Sequence, residues 1–359
     1  MIHAILAAGA FVTSLLVGLA VIPFIWRFCK NRGLYDLPDA RKRHHTAVPR
    51  LGGIAFLPSM GFSFIVAVVA LSLFRGRASS VSISSIYLLT GVVTVYCVGV
   101  VDDIFGVPAR KKFVAQIAGA CFLLASNLYV NNLYGFLGIW QIPAWVGMPL
   151  TVFLVVFIDN AMNLIDGIDG LCAGLAMIAL AGFGVMFARL EMWVFCVMIA
   201  GLIGVLAAYC YFNVFSKRRK IFMGDSGSLT IGFILAVLFT KLSMNNPLVM
   251  EYDSQRMMMA YSMLIVPCFD VVRVVLVRLR QRKHIFSPDR NHLHHKLIDR
   301  GLSPHCALAA ILLMALAYII LNGVMLHFGL QPTIVVAVDI AAYIVFHCAL
   351  PTGPSHKNA

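Results

Sequence analysis

Residues 4–26 read AILAAGAFVTSLLVGLAVIPFIW, and residues 27–50 read RFCKNRGLYDLPDARKRHHTAVPR. The first stretch is uncharged and long enough to cross a bilayer as a helix, since about 20 apolar residues span the hydrocarbon. The second carries seven Lys and Arg. No Lys or Arg precedes the apolar stretch and a strongly basic one follows it, the reverse of a cleaved signal peptide. Together they predict a retained membrane helix, with its N-terminus outside and the following loop in the cytoplasm.

The rest of the chain repeats this pattern. Of 359 residues, 61% are apolar and 12% charged, against about 45–50% and 25% in soluble domains. Too few polar groups remain to coat a soluble protein of this size. An ordinary cytosolic enzyme, a disordered tail protein and a secreted disulfide scaffold are excluded. The expected fold is all-α: a polytopic membrane protein with about eleven spans, near 4–26, 52–74, 84–101, 113–130, 144–158, 168–188, 192–212, 227–243, 258–278, 306–328 and 332–350. Counting span-end residues with the loops they adjoin, loops after odd-numbered spans and the tail hold 22 Lys and Arg. Loops after even-numbered spans hold 5, and Arg273 lies within a span. That asymmetry predicts an outside N-terminus and a cytoplasmic C-terminus. No soluble domain or internal repeat is visible. Residues 1–359 read as one membrane domain with cytoplasmic loops at about 27–51, 102–112, 159–170, 213–226 and 279–305. The net charge of +13 then serves orientation rather than nucleic-acid binding. Nine cysteines, nearly all in apolar runs and without a CxxC pair, read as small apolar residues.

Ten of the fifteen acids fall on the expected cytoplasmic side, which the positive-inside rule does not require. Three segments concentrate them. Val100-Val101-Asp102-Asp103-Ile104-Phe105-Gly106 ends the third span with adjacent carboxylates. Their repulsion calls for a cation, a basic partner or a raised pKa, unless they form an ordinary solvated helix end. Asn160, Asn163, Asp166 and Asp169 recur every three residues in NAMNLIDGIDG, which places them in one stripe of a helix or tight turn. Their oxygens are hard ligands suited to Mg²⁺. Phe222-Met223-Gly224-Asp225-Ser226-Gly227-Ser228 opens an apolar helix. Its backbone amides and Asp225 could hold a phosphate and its counter-cation, or simply cap the helix. A fourth region, Ser287-Pro288-Asp289-Arg290-Asn291-His292-Leu293-His294-His295-Lys296, reads as cationic donors for a phosphate or pyrophosphate. Its spacing matches no structural zinc site, and an inert loop is the plain alternative. Asp159 has no assigned role. Asp339, inside the last span, is expected to make a helix–helix hydrogen bond or stay protonated.

Tyr35–His44 and Pro49–Gly53, followed by VDDIFG, NAMNLIDGIDGL, FMGDSGSL and SPDRNHLHH, resemble the polyprenyl-phosphate N-acetylhexosamine-1-phosphate transferases, in that family's order. The HLHH form and the expected eleven spans are similar to its WecA/TagO-like branch (glycosyltransferase 4 family). The MraY-like branch, a phospho-MurNAc-pentapeptide transferase, usually has ten spans and three consecutive histidines, and is the alternative. A secondary transporter or flippase is more remote, because transporters place polar sites near the midplane between repeated halves.

The resemblance implies a bacterial inner-membrane enzyme with its site on the cytoplasmic face. It implies transfer of N-acetylhexosamine-1-phosphate, by default GlcNAc-1-phosphate, from a UDP-sugar to undecaprenyl phosphate, releasing UMP and starting a cell-surface polysaccharide. Mg²⁺ would be required, with Mn²⁺ as a substitute, and a homodimer is the family analogy. Position by position, Asp225 and Asn163 would hold the metal. Asp102 would orient or deprotonate the acceptor phosphate, with Asp103 in support. Lys112 would pair with a phosphate. Asp166 and Asp169 would orient groups by hydrogen bonds. Phe222 and Asn213 would contact the nucleotide, and Arg290, His292, His294 and His295 would close over the diphosphate and sugar.

Overall fold

The computed structural model describes residues 2–36, 47–76, 82–282 and 291–349. The long helices are α1 (Ile2–Arg32), α2 (Phe56–Arg75), α3 (Ile83–Phe105), α4 (Ala109–Ala125), α5 (Ala144–Ile165), α6 (Leu171–Arg189), α7 (Trp193–Cys210), α8 (Gly224–Ser243), α10 (Ile265–Arg280), α12 (Pro304–His327) and α13 (Pro332–Ala349). Short helices α9 (Arg256–Ser262) and α11 (Leu293–Asp299) complete the set. A 3₁₀ turn, Gly52–Ala55, leads into α2, and a π-helical turn, Tyr211–Phe215, follows α7. Two small hairpins are present: β1 (Tyr35–Asp36) with β2 (Val48–Pro49), and β3 (Asn132–Phe136) with β4 (Ile139–Gln141).

Among the described residues, nine helices have the length and hydropathy to cross a membrane, or ten if the bent pair α9–α10 is one span. The expected number was eleven. The fourth expected span is α4, which has only 17 residues. At 1.5 Å per residue it reaches about 25 Å, less than the usual hydrocarbon thickness. The ninth expected span is broken, its halves meeting at 68°.

Helix α8 is the axis of the bundle. Of its most apolar stretch, 94% is buried inside the protein, and it packs against α3 and α5. The outer helices turn large apolar side chains outward, such as Leu73, Phe153 and Ile320, as a lipid-facing surface does. Local signals start two helices within two residues of the expected positions: Ser82 and Ser303 accept the amides of Ser85 and Cys306, and Pro304 takes the first helical position.

The bundle has two distinct polar ends. At one end Asn131 and Asn245 exchange bonds of 2.8 and 2.7 Å. There Gln255 donates to the Leu326 carbonyl, and the Leu137 amide to Thr333 Oγ1. The other end gathers the C-termini of α3, α5 and α7 with the N-termini of α4, α6 and α8. Asp339 makes the helix–helix hydrogen bond expected of it: Asn322 Nδ2 lies 3.0 Å from its Oδ2 and 2.9 Å from Ser262 Oγ, tying α13 to α12 and α9.

Candidate active site

The N-terminus of α8 is fixed by backbone. The Phe222 amide donates to the Pro49 carbonyl (2.7 Å), and the Gly52 and Gly53 amides donate to the Phe222 and Met223 carbonyls (2.9 and 2.8 Å). This contact requires glycine. A Cβ on Gly53 would stand 2.1 Å from the Gly227 nitrogen. Gly224, with φ +72°, makes the turn into α8, and a Cβ there would meet the Arg50 carbonyl at 2.2 Å.

The adjacent carboxylates of α3 divide their work. Asp103, 4% exposed, accepts the amides of Asp225 (2.8 Å) and Ser226 (2.9 Å). It therefore caps α8 from another helix, where the dipole favours a negative charge. Asp102 faces Lys112 of α4 instead, with Nζ–Oδ2 at 3.0 Å. The same ammonium lies 2.5 Å from Asp225 Oδ2. Asn163, near the end of α5, donates to Asp225 Oδ1 (3.1 Å) and Ser228 Oγ (2.9 Å). Residues far apart in the chain thus meet around Asp225, and a cationic group already sits between its carboxylate and that of Asp102.

Asp102, Asn163, Asp225 and Ser228 of this cluster line a cavity of about 700 Å³. Asp166, Asp169, Asn213, Lys220, Phe222 and His295 line other parts of it. Asn213, held in the π-helical turn, accepts the Gly170 amide (2.7 Å) and donates to the Ile221 carbonyl (3.0 Å). It thereby ties the α5–α6 loop to the segment before α8. Lys220 pairs with Asp169 (2.5 Å) and stands 5.6 Å from the centre of the Phe222 ring. Burial, with the charges of Asp225, Asp169 and Asp103 nearby, pushes the Asp166 carboxyl up to about 7. An acidic wall beside lysines and an aromatic face suits a phosphorylated, base-bearing ligand accompanied by a cation.

Known proteins are similar to this chain in sequence. The family described as "Glycosyl transferase family 4" matches residues 85–243, which hold the α3, α5–α6 and α8 motifs. A Bacillus subtilis (strain 168) protein named "Probable undecaprenyl-phosphate N-acetylglucosaminyl 1-phosphate transferase" is 31% identical over 324 residues, 86% of this chain and 82% of that protein. An Escherichia coli (strain K12) protein, "Undecaprenyl-phosphate alpha-N-acetylglucosaminyl 1-phosphate transferase", is 30% identical over 338 residues, 90% of this chain and 86% of its own. A Yersinia pestis protein of the same name is 29% identical over 325 residues, covering 88% and 83%. The chain belongs to glycosyl transferase family 4.

In this family 4 chain the expected histidines do not share one surface. His295 lines the cavity. His294 is buried, and its ring occupies the space that a side chain on Gly167 would need. His292 is buried too and turns to Asp270 rather than to the cavity, with Nδ1–Oδ2 at 2.8 Å. Arg290 lies outside the described residues. Arg50, Tyr209 and Ser228 also line the cavity but were not singled out in the sequence. Arg50 was legible as the cation between Pro49 and Leu51-Gly52-Gly53. Tyr209, inside an apolar run, had no local signal. Asp159 is fully buried against Gly232 of α8, one helical turn before Asn163.

The residues fit a divalent cation. Asp225, Asp102 and the Asn163 amide oxygen are hard donors, and Lys112 marks a position where positive charge is held between the two carboxylates. Among the described residues, no three His, Cys, Asp or Glu side chains are grouped to hold a metal unaided. Mg²⁺ needs no such cage, because it binds through one or two carboxylates, substrate phosphates and retained waters.

Proposed function

We propose that this chain transfers N-acetylhexosamine-1-phosphate, specifically GlcNAc-1-phosphate, from its UDP-sugar to undecaprenyl phosphate with Mg²⁺; its relatives' names give the GlcNAc-1-phosphate group and the undecaprenyl phosphate acceptor. An oxygen of the lipid phosphate attacks the sugar-bearing phosphorus. The diphosphate P–O bond breaks, and UMP leaves with that oxygen. The lipid gains the sugar phosphate as a diphosphate. The observation that carries this reading is the meeting of Asp102, Lys112, Asn163 and Asp225 beside a cavity that also presents Phe222 and Lys220.

Asp225 and Asn163 would hold the cation, with Asp102 close by. When bound, it would neutralise the donor diphosphate and the charge that develops on the leaving phosphate. Lys112 supplies a fixed positive charge to the incoming phosphate, and Asp102 orients Lys112. No strong base is needed, because a phosphomonoester is largely dianionic at neutral pH (second pKa about 6). Lys220, Phe222 and Arg50 line the nucleotide side. On the lipid side, Val101, Phe105 and Leu164 are exposed apolar residues next to Asp102 and Asn163. They offer a polyprenyl chain a path from the bilayer. The described basic residues Arg50, Lys112 and Lys220 stand at this same end, which supports a cytoplasmic site, an outside N-terminus and a cytoplasmic C-terminus. If α4 and the α9–α10 pair each cross, the helices alternate as eleven spans. The proposed location is the bacterial inner membrane, in keeping with the bacterial sources of the relatives.

The test is purified protein with undecaprenyl phosphate and a panel of UDP-sugars, followed by UMP release. The expected result is acceptor-dependent release with UDP-GlcNAc, abolished by EDTA and restored by Mg²⁺. Substrate flux across proteoliposomes without any UMP would instead favour a transporter.

A further inference from the structure

Asp270 lies on α10 inside an apolar run and is fully buried. The machinery described above does not use it. Its Oδ2 pairs with His292 Nδ1 (2.8 Å). Its Oδ1 accepts the Leu293 amide (2.9 Å) and the guanidinium of Arg273 (2.8 Å). Arg273 also donates to the Asn291 carbonyl. Two residues one turn apart on α10 therefore grip Asn291, His292 and Leu293 in succession. A buried carboxylate is costly unless paired and hydrogen-bonded. Here both oxygens are engaged, and the bond to Nδ1 fixes the ring of His292.

The grip reaches the cavity through packing. The rings of His292 and His294 stack at 5.9 Å and 11°, and that of His295 lies 4.2 Å beyond His294. His294 is seated against Gly167, and His295 lines the cavity. Helix α11, which carries these two rings, has only seven residues. So short a helix does not hold itself in place and depends on outside contacts. Leu293 and Leu297 are buried in the apolar core, and the Asp270–Arg273 pair supplies the polar contacts at the N-terminal end of α11.

We propose that Asp270 and Arg273 are positioning residues for the transfer reaction: they lock residues 291–293 to α10 and so set where His295 stands against the donor. This rests on the function proposed above, so the test reads the anchor separately from turnover. Amide hydrogen exchange is measured on the full-length protein as wild type, Asp270→Asn, Asp270→Ala and Asp339→Asn, the last removing a different buried membrane acid. In both Asp270 variants, residues 291–299 are expected to lose protection while α8 keeps it; Asp339→Asn leaves 291–299 protected. Steady-state kinetics then separates positioning from mere stability. The KM for UDP-GlcNAc is expected to rise about tenfold in Asp270→Asn, the low end of the scale known for carboxylates that orient metal-bound histidines. The KM for undecaprenyl phosphate stays unchanged. A purely structural role would lower the active fraction, and hence kcat, with both KM values intact, and that result overturns the proposal. Unchanged exchange at 291–299 also overturns it. A wild-type protein that releases no UMP would refute the proposed function, while the exchange data would still decide the anchor.

Discussion

Asp166 shows how strongly the site is charged. Its carboxyl is pushed up to about 7 by burial and by Asp225, Asp169 and Asp103, from an ordinary value of 3.8. The folded protein therefore binds a proton there more tightly than the unfolded chain does. The resulting stability is fully present below about pH 4 and is lost as pH rises through about 7. The thermal midpoint of the cation-free protein should fall between about pH 5 and pH 8, and Asp166→Asn should flatten that fall. Parallel pH curves for wild type and variant would contradict this. Other residues illustrate what could and could not be read beforehand. Asp102 and Asp103 were legible as neighbours in need of neutralisation. Their division of labour was not, because the amides that Asp103 caps belong to a helix about 120 residues further on. Asp270 was missed because its run reads as one apolar span, and its partners His292 and Leu293 lie beyond it in the sequence.

At the scale of elements, the junction of the 3₁₀ turn with α8 places Asp225. Gly53→Ala drives a methyl group to 2.1 Å from the Gly227 nitrogen, where no flexible side chain can yield. Thermal or denaturant unfolding should show a loss of about 1–3 kcal/mol, as overpacking typically costs, and transfer activity should fall with it. Gly61→Ala on α2 meets nothing within 4 Å, and should be neutral or stabilising by up to about 1 kcal/mol. Equal effects of the two substitutions would refute the close-approach role of Gly53. Element positions were largely legible, because apolar runs of spanning length leave few alternatives. Their ends were less so. Helix α8 starts at Gly224 rather than at 227, and α4 starts at Ala109 rather than at 113. In both cases polar residues that hydropathy assigns to a loop are helical, because partners from other helices satisfy them. The break between Ser262 and Ile265 falls within apolar residues, where hydropathy carries no signal.

At the scale of the molecule, the proposed function asks the apolar bundle to bring a lipid and a soluble anion to one polar end. Helix α8 is buried almost throughout and carries Asp225 at its start. The helices around it contribute Asp102, Lys112 and Asn163 and leave apolar surface for the bilayer. The central claim is that these groups, with a cation, hold two phosphorylated reactants together. The most direct measurement is Mg²⁺-dependent UMP release from UDP-GlcNAc and undecaprenyl phosphate by purified Asp225→Ala, matched to wild type in its unfolding midpoint. A loss of at least about 100-fold, the scale of removing a key electrostatic group from an active site, is the predicted result; turnover equal to wild type would contradict it.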